Sequence, residues 1–158
     1  MPPVTPYSHH LGSRDPFDAM RATTARIGEL VSAWTPAHWE RSYAPGKWSG
    51  RLVLIHLAQT EMALGARARL ALTTPNYASQ SFDQDDWMVR EKGLSGRDAL
   101  DAFLGLSRMN TAFFASLSDA DRRTPFTHPE YGALTVDWVI HQMAGHQIHH
   151  LKQLESIV

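Results

Sequence analysis

The sequence predicts an all-α protein, a four-helix bundle with a long connection between its second and third helices. Three observations lead there. Apolar residues recur at steps of three and four in four separate stretches, helix-opening residues stand ahead of them, and the second and third stretches lie too far apart for an ordinary helix hairpin. A chain of 158 residues fits a single domain over 1–158 and can bury a sizeable core without disulfides or a structural metal.

Residues 1–14 are rich in Pro, Ser and His without period and read as a flexible arm that leaves His9 and His10 solvated. Asp15 is placed to cap the first helix and Pro16 to occupy its first turn, with Phe17, Met20, Ile27, Leu30, Val31 and Trp34 at helical spacing. A turn-rich passage follows, then a second helix from about Ser49 to Leu72 with Leu52, Ile55, His56, Gln59, Ala63 and Leu70 on or near one side. The long connection after it has room for a short helix around Asp85 to Glu91, and connections of that length are often functional. Such length frees the two flanking helices from being antiparallel, so a crossover topology is as plausible as a simple up-and-down one. Ser95 can cap the third helix, whose expected inner stripe is Ala99, Leu100, Phe103, Leu106, Met109, Phe113 and Leu117. The segment SDADRRTPFTHPEYG reads as turns, and Thr135 opens a fourth helix that runs almost to the end.

Composition narrows the function. With no cysteine, disulfide scaffolds, thiolate metal sites and a protein-borne thiol nucleophile are excluded. A formal charge of −1 with acids and bases interspersed argues against nucleic acid or anionic membrane as a partner. The N-terminus lacks signal-peptide character and LVLIHLA is too short to span a bilayer, so the expected setting is cytoplasmic.

The nine histidines carry the chemical signal, because imidazole is the commonest metal ligand and titrates near neutral pH. In the last helix Val139, Met143, His146, His150, Leu154 and Ile157 form one stripe, which two histidines interrupt. Four residues apart, His146 and His150 stack on one face and can share an ion, the geometry of HExxH helices. His56, on the inner side of the second helix, would complete a three-histidine set with an open position for water, the composition of a catalytic zinc site. A lone core histidine is more often satisfied by hydrogen bonds, and spacing alone leaves that reading open beside the metal one. His149 follows Trp138, Gln142 and Gly145 on a more polar side and is expected at the surface or at a pocket rim. His141 lies off the stripe and is expected to be exposed or to stand behind a ligand, His38 and His128 fall in loops, and Trp48, Trp87 and Trp138 fit either core or pocket wall. Glu61, Asp85, Asp86 and Glu91 are the carboxylates available as acid or base, none singled out by spacing.

Three segments in register, GKWSGRLVLIHLAQTE (46–61), HPEYGALT (128–135) and HQMAGHQIHHLKQLE (141–155), together resemble the DinB/YfiT-like superfamily of metal-binding helical bundles. Its pattern of one histidine in the second helix and an HxxxH pair in the fourth falls on His56, His146 and His150. The resemblance implies a four-helix bundle with a crossover, often dimeric, that binds zinc or nickel. One departure is Gly145, where many relatives carry a bulkier residue before the pair, which bears on pocket shape.

Three roles stay open. A divalent ion on three neutral imidazoles can lower the pKa of water to about 7 for hydrolysis of a small-molecule substrate. The open position can instead ionise a low-molecular-weight thiol such as bacillithiol or mycothiol, since the resemblance also covers thiol transferases and this chain has no thiol of its own. A non-enzymatic, metal-binding stress protein is the third. Because the ligands must be deprotonated, metal affinity is expected to fall as pH drops through about 6.5.

Overall fold

The computed structural model describes residues 1–157. Its elements in chain order are α1 (Ser8–Leu11), α2 (Pro16–Ser32), α3 (Pro36–Glu40), α4 (Gly50–Thr73), α5 (Gln84–Glu91), α6 (Gly96–Ala115), α7 (Asp119–Arg122), the strands β1 (Pro125–His128) and β2 (Gly132–Thr135), and α8 (Val136–Glu155). The four long helices α2, α4, α6 and α8 form the bundle, and their starts are chemically marked. The Asp15 carboxylate accepts from the Phe17 and Asp18 amides, and Ser49, Ser95 and Thr135 accept through their hydroxyls from Leu52, Asp98 and Trp138. Pro16 sits in the first turn of α2, where its missing N–H costs nothing.

Around the bundle, α2 neighbours α6 and α8, and α4 neighbours the same two. The helices α4 and α6 are parallel. Ala58 and Ala99, near their starts, share a hollow; further along, Asn110 reaches Glu61; and towards both ends the Arg69 guanidinium lies over the Phe113 ring. Two parallel neighbours require a crossover, and α5 lies within that connection. By contrast α4 and α8 are antiparallel, which brings His56 against His146 and His150 and puts Glu61 beside Gln147.

Segment 118–132, expected as turns, contains α7, the strand β1 and the turn of a hairpin in which Phe126 faces Leu134 and His128 faces Gly132. The hairpin also pins the crossover connection, since Ser79 donates its amide to the Thr127 carbonyl and Thr127 donates to that of Tyr77.

Residues 1–14, expected as a flexible arm, are laid against α8. Leu11 and Thr5 are buried, α1 packs on α8, and the Trp138 indole N–H donates to the Val4 carbonyl at 3.0 Å. Gly145 makes this possible, because a Cβ there would stand 2.6 Å from the Tyr7 carbonyl oxygen.

The apolar core has two parts. Ile27, Leu54, Ile55, Phe103 and Leu154 anchor one, and Met20, Ala68, Phe114, Val139 and Met143 the other. Between them lies a polar layer in which Glu61 accepts from Asn110 at 2.8 Å and from Gln147 at 2.5 Å. Gln147 also donates to Ser107, whose hydroxyl meets that of Thr24 at 2.7 Å. The layer corrects the expected face of α6: Ser107 and Asn110 point inward because their partners are inside, and Met109 is exposed.

Candidate metal centre

His56 stands in the second turn of α4, and His146 and His150 stand on successive turns of α8; all three are buried. The Nε2 atom of His146 is 3.0 Å from Nε2 of His56 and 3.0 Å from Nε2 of His150. One ligand atom from each ring lies within 4.8 Å of the others, a set that could hold a metal ion.

Hydrogen bonds among the three rings cannot satisfy this cluster. The Nδ1–H of His150 is donated to Gln153 Oε1 at 2.7 Å, which leaves His150 Nε2 as a bare lone pair. A single hydrogen on His146 Nε2 serves only one of its two neighbours, so another pair of nitrogens meets without a proton properly placed between them. Burial removes the alternative of charging the rings: it lowers His56 to about 4 and His150 to about 3, and holds His146 well below the ordinary imidazole value, with the neighbouring histidines pushing the same way. A shared cation resolves the frustration. Two nitrogens each about 2.1 Å from an ion lie roughly 3 Å apart when the angle between them is near a right angle.

Around the cluster the Trp48 ring tilts against His56 at 5.0 Å, and the Tyr7 ring meets His146 edge-on at 5.1 Å. His56 Nδ1 is buried without a partner, whereas His150 is tied into a chain that reaches the surface. After His150 and Gln153 comes His149, whose Nε2 accepts from Gln153 Nε2 at 3.1 Å and whose Nδ1 is 3.0 Å from His10 Nε2. With His150 Nδ1 as donor, each link in this chain follows in turn.

Two pockets meet at His56. One, of about 260 Å³, also reaches His146 and is bounded by Tyr7, Thr60, Arg67, Phe82 and Gln142. The other, of about 340 Å³, reaches His150 and is bounded by Tyr43, Lys47, Trp48, Asp85 and Gln153. Small-molecule sites take this form, with aromatic walls and a few convergent polar groups.

The structure therefore brings His56, His146 and His150 together and puts half-buried His149 on the rim. His10, expected to be solvated, packs on His149 with ring centroids 4.9 Å apart. His128, expected in a loop, is on β1, buried and pocket-facing, with Nδ1 accepting from the Glu130 amide at 3.1 Å. His141 is buried and donates Nδ1–H to the Asp137 carbonyl. Of the carboxylates, Asp85 borders a pocket, Glu91 accepts from Gln59 at 2.8 Å, and Glu61 belongs to the polar layer, where burial raises it to about 7 against the pull of Asn110 and Gln147.

The model of the DinB superfamily matches residues 19–154. The chain belongs to the DinB superfamily. Among members, it is 24% identical over 133 residues to a candidate metal-dependent hydrolase of Oceanobacillus iheyensis, covering 84% of this chain and 77% of that one. YfiT of Bacillus subtilis, also named as a candidate metal-dependent hydrolase, is 24% identical over 144 residues, covering 89% and 81%. The solved YfiT structure, described as an unusual four-helix bundle, superposes with a TM-score of 0.81 over 90% of this chain and 83% of that one. The mycothiol-dependent maleylpyruvate isomerase superposes with a TM-score of 0.72 at 13% identity, over 95% of this chain and 61% of that one. The YfiT superposition supports the four-helix-bundle fold.

Proposed function

We propose that this DinB-superfamily chain is a metal-dependent hydrolase whose divalent ion is held by His56, His146 and His150. The observation that carries the reading is the convergence of the three Nε2 atoms, with His150 held by Gln153 in the tautomer a ligand needs. The names of its relatives point the same way. When bound, such an ion supplies Lewis acidity and lowers the pKa of a water in its open position to about 7. The chain's own residues do the rest: buried imidazoles stay neutral and available, Gln153 and His149 orient His150, Tyr7 and Trp48 exclude bulk water, and Thr60 and Gln142 offer polar atoms to a substrate. Zinc and nickel suit three imidazoles, and the setting we propose is a single cytoplasmic domain that forms a homodimer.

A second reading, transfer of a low-molecular-weight thiol, is favoured by the two pockets that share His56, room for two reactants rather than one. It also accords with the absence of cysteine and with the thiol-dependent structural neighbour.

Elemental analysis of the untagged protein and of its His56→Ala and His146→Ala variants tests the site. We expect near-stoichiometric metal in the first and its loss in both variants. Metal-loaded and chelator-stripped protein are then assayed on ester, amide and phosphoester panels, with and without added thiols. Turnover that needs the metal but no thiol supports hydrolysis, and turnover that consumes a thiol supports transfer. A wild type that takes up neither zinc nor nickel would make these ordinary core histidines.

A further inference from the structure

The pocket of about 260 Å³ has a second pole. Arg67 is on the same side of α4 as His56, Thr60 and Leu64, at steps of four, four and three, and all four bound this pocket. The residue is 7% exposed, yet among the described residues it makes no ion pair, and its guanidinium donates to a single protein acceptor, the Gln80 carbonyl at 2.9 Å. A guanidinium has five N–H donors and does not discharge in a protein, so a buried one with a single acceptor is under-satisfied. The acid whose charge acts on it, Glu130, is exposed and accepts from Ser81 at 3.3 Å. Beside Arg67, the neutral ring of His128 accepts at Nδ1 from the Glu130 amide and so carries its proton on Nε2. Thr60 Oγ1 and Gln142 Oε1, both buried, have no hydrogen-bond partner among the described residues and border the same space.

We infer that this pole is a carboxylate subsite, so that the substrate or thiol handled at the histidine cluster carries a carboxylate that docks on Arg67, with Thr60 positioned to assist. The inference rests on the metal-centre reading for its other end only. One cation inside a low-dielectric wall balances one negative charge, and with Glu130 nearby a phosphate dianion would leave charge uncompensated. The walls between the poles, Tyr7, Leu64, Phe82 and Trp138, suit an apolar or aromatic body. From His56 to Arg67 the helix rises about 16 Å, and the longer Arg67 side chain, leaning towards the helix N-terminus, shortens the gap between its guanidinium and the His56 ring, so a single extended small molecule can reach both ends.

The test is isothermal titration of the zinc-incubated, desalted protein with 6-mercaptohexanoate, 6-mercaptohexanol and hexanoate, alongside elemental analysis. The expected result is that mercaptohexanoate binds about tenfold or more tightly than the alcohol of equal length. That preference should vanish in Arg67→Gln and partly persist in Arg67→Lys, with metal content unchanged. Equal affinity of wild type for the acid and the alcohol would overturn the inference, as would a preference that survives Arg67→Gln. Should the protein hold no zinc, with hexanoate binding as well as mercaptohexanoate and the Arg67-dependent preference kept, the metal reading fails while the carboxylate subsite stands.

Discussion

At the scale of single residues, the adjacent histidines of α8 have different tasks. His150 presents a bare Nε2 to the cluster, whereas His149 acts through Gln153 on the far side of that ring. Loss of a proposed ligand should abolish tight binding, while loss of a ligand's hydrogen-bonded support typically costs about 10- to 100-fold in metal affinity. We therefore expect His150→Ala to lose the metal on dialysis and His149→Ala to retain it with weakened affinity, as measured by competition with a chromophoric chelator. The reverse order would place the ligand one residue earlier. Burial also changes the pH dependence expected from the sequence. With His56 held near about 4 and His150 near about 3, protons do not compete for the folded cluster at pH 6.5. Metal content after equilibrium dialysis should stay level between roughly pH 8 and 5.5 and fall only as pH approaches about 4. A midpoint near 6.5 would show that the rings are more hydrated than their packing indicates.

At the scale of elements, the N-terminal arm and α8 are fitted to each other at Gly145. Any side chain there meets the Tyr7 backbone, and backbone cannot step aside as the end of a flexible side chain can. Gly145→Leu should displace the arm, cost about 1–3 kcal/mol in urea unfolding, and speed tryptic cleavage at Arg14 while the long helices stay protected. Unchanged cleavage at Arg14 would mean that the arm is held elsewhere. What the sequence made legible follows the same physics. The stripe on α8 could be read because its apolar residues and its two histidines keep one period, and α2 because Asp15 and Pro16 announce its start. The face of α6 could not, since Ser107 and Asn110 are inside only through partners on three other helices. His10 and His128 escaped for a related reason, since each enters the site from a segment whose own pattern carries no sign of where it docks, whereas Arg67 keeps helical register with His56 and escaped because an arginine in a helix ordinarily reads as solvent-facing.

At the scale of the whole molecule, the polar layer and the histidine cluster give metal-free protein opposite responses to pH. Glu61 is raised to about 7 when folded, so the folded state keeps its proton where the unfolded chain has lost it. Its contribution is present below about 4.5 and is lost as pH rises through about 7, a change of up to about 3 kcal/mol. The three histidines are lowered when folded, so their contribution is present above about 6.5 and is lost as pH falls towards about 4 and below. Chelator-stripped protein should thus lose stability as pH falls below about 6, where three histidines outweigh one carboxyl, and stay level above about 7, where both contributions are complete. Glu61→Gln separates the two arms. An amide at 61 needs one partner turned, and Gln147 can turn, because its Oε1 is buried without a donor. Urea unfolding at pH 5, 6.5 and 8 should show the variant close to wild type at pH 5, more stable than wild type at pH 8, and equally acid-sensitive below pH 5. If Glu61→Gln is destabilised by the same amount at every pH, the layer is selected for its hydrogen-bond geometry, and Glu61 is not a protonated carboxyl in the folded state near neutral pH.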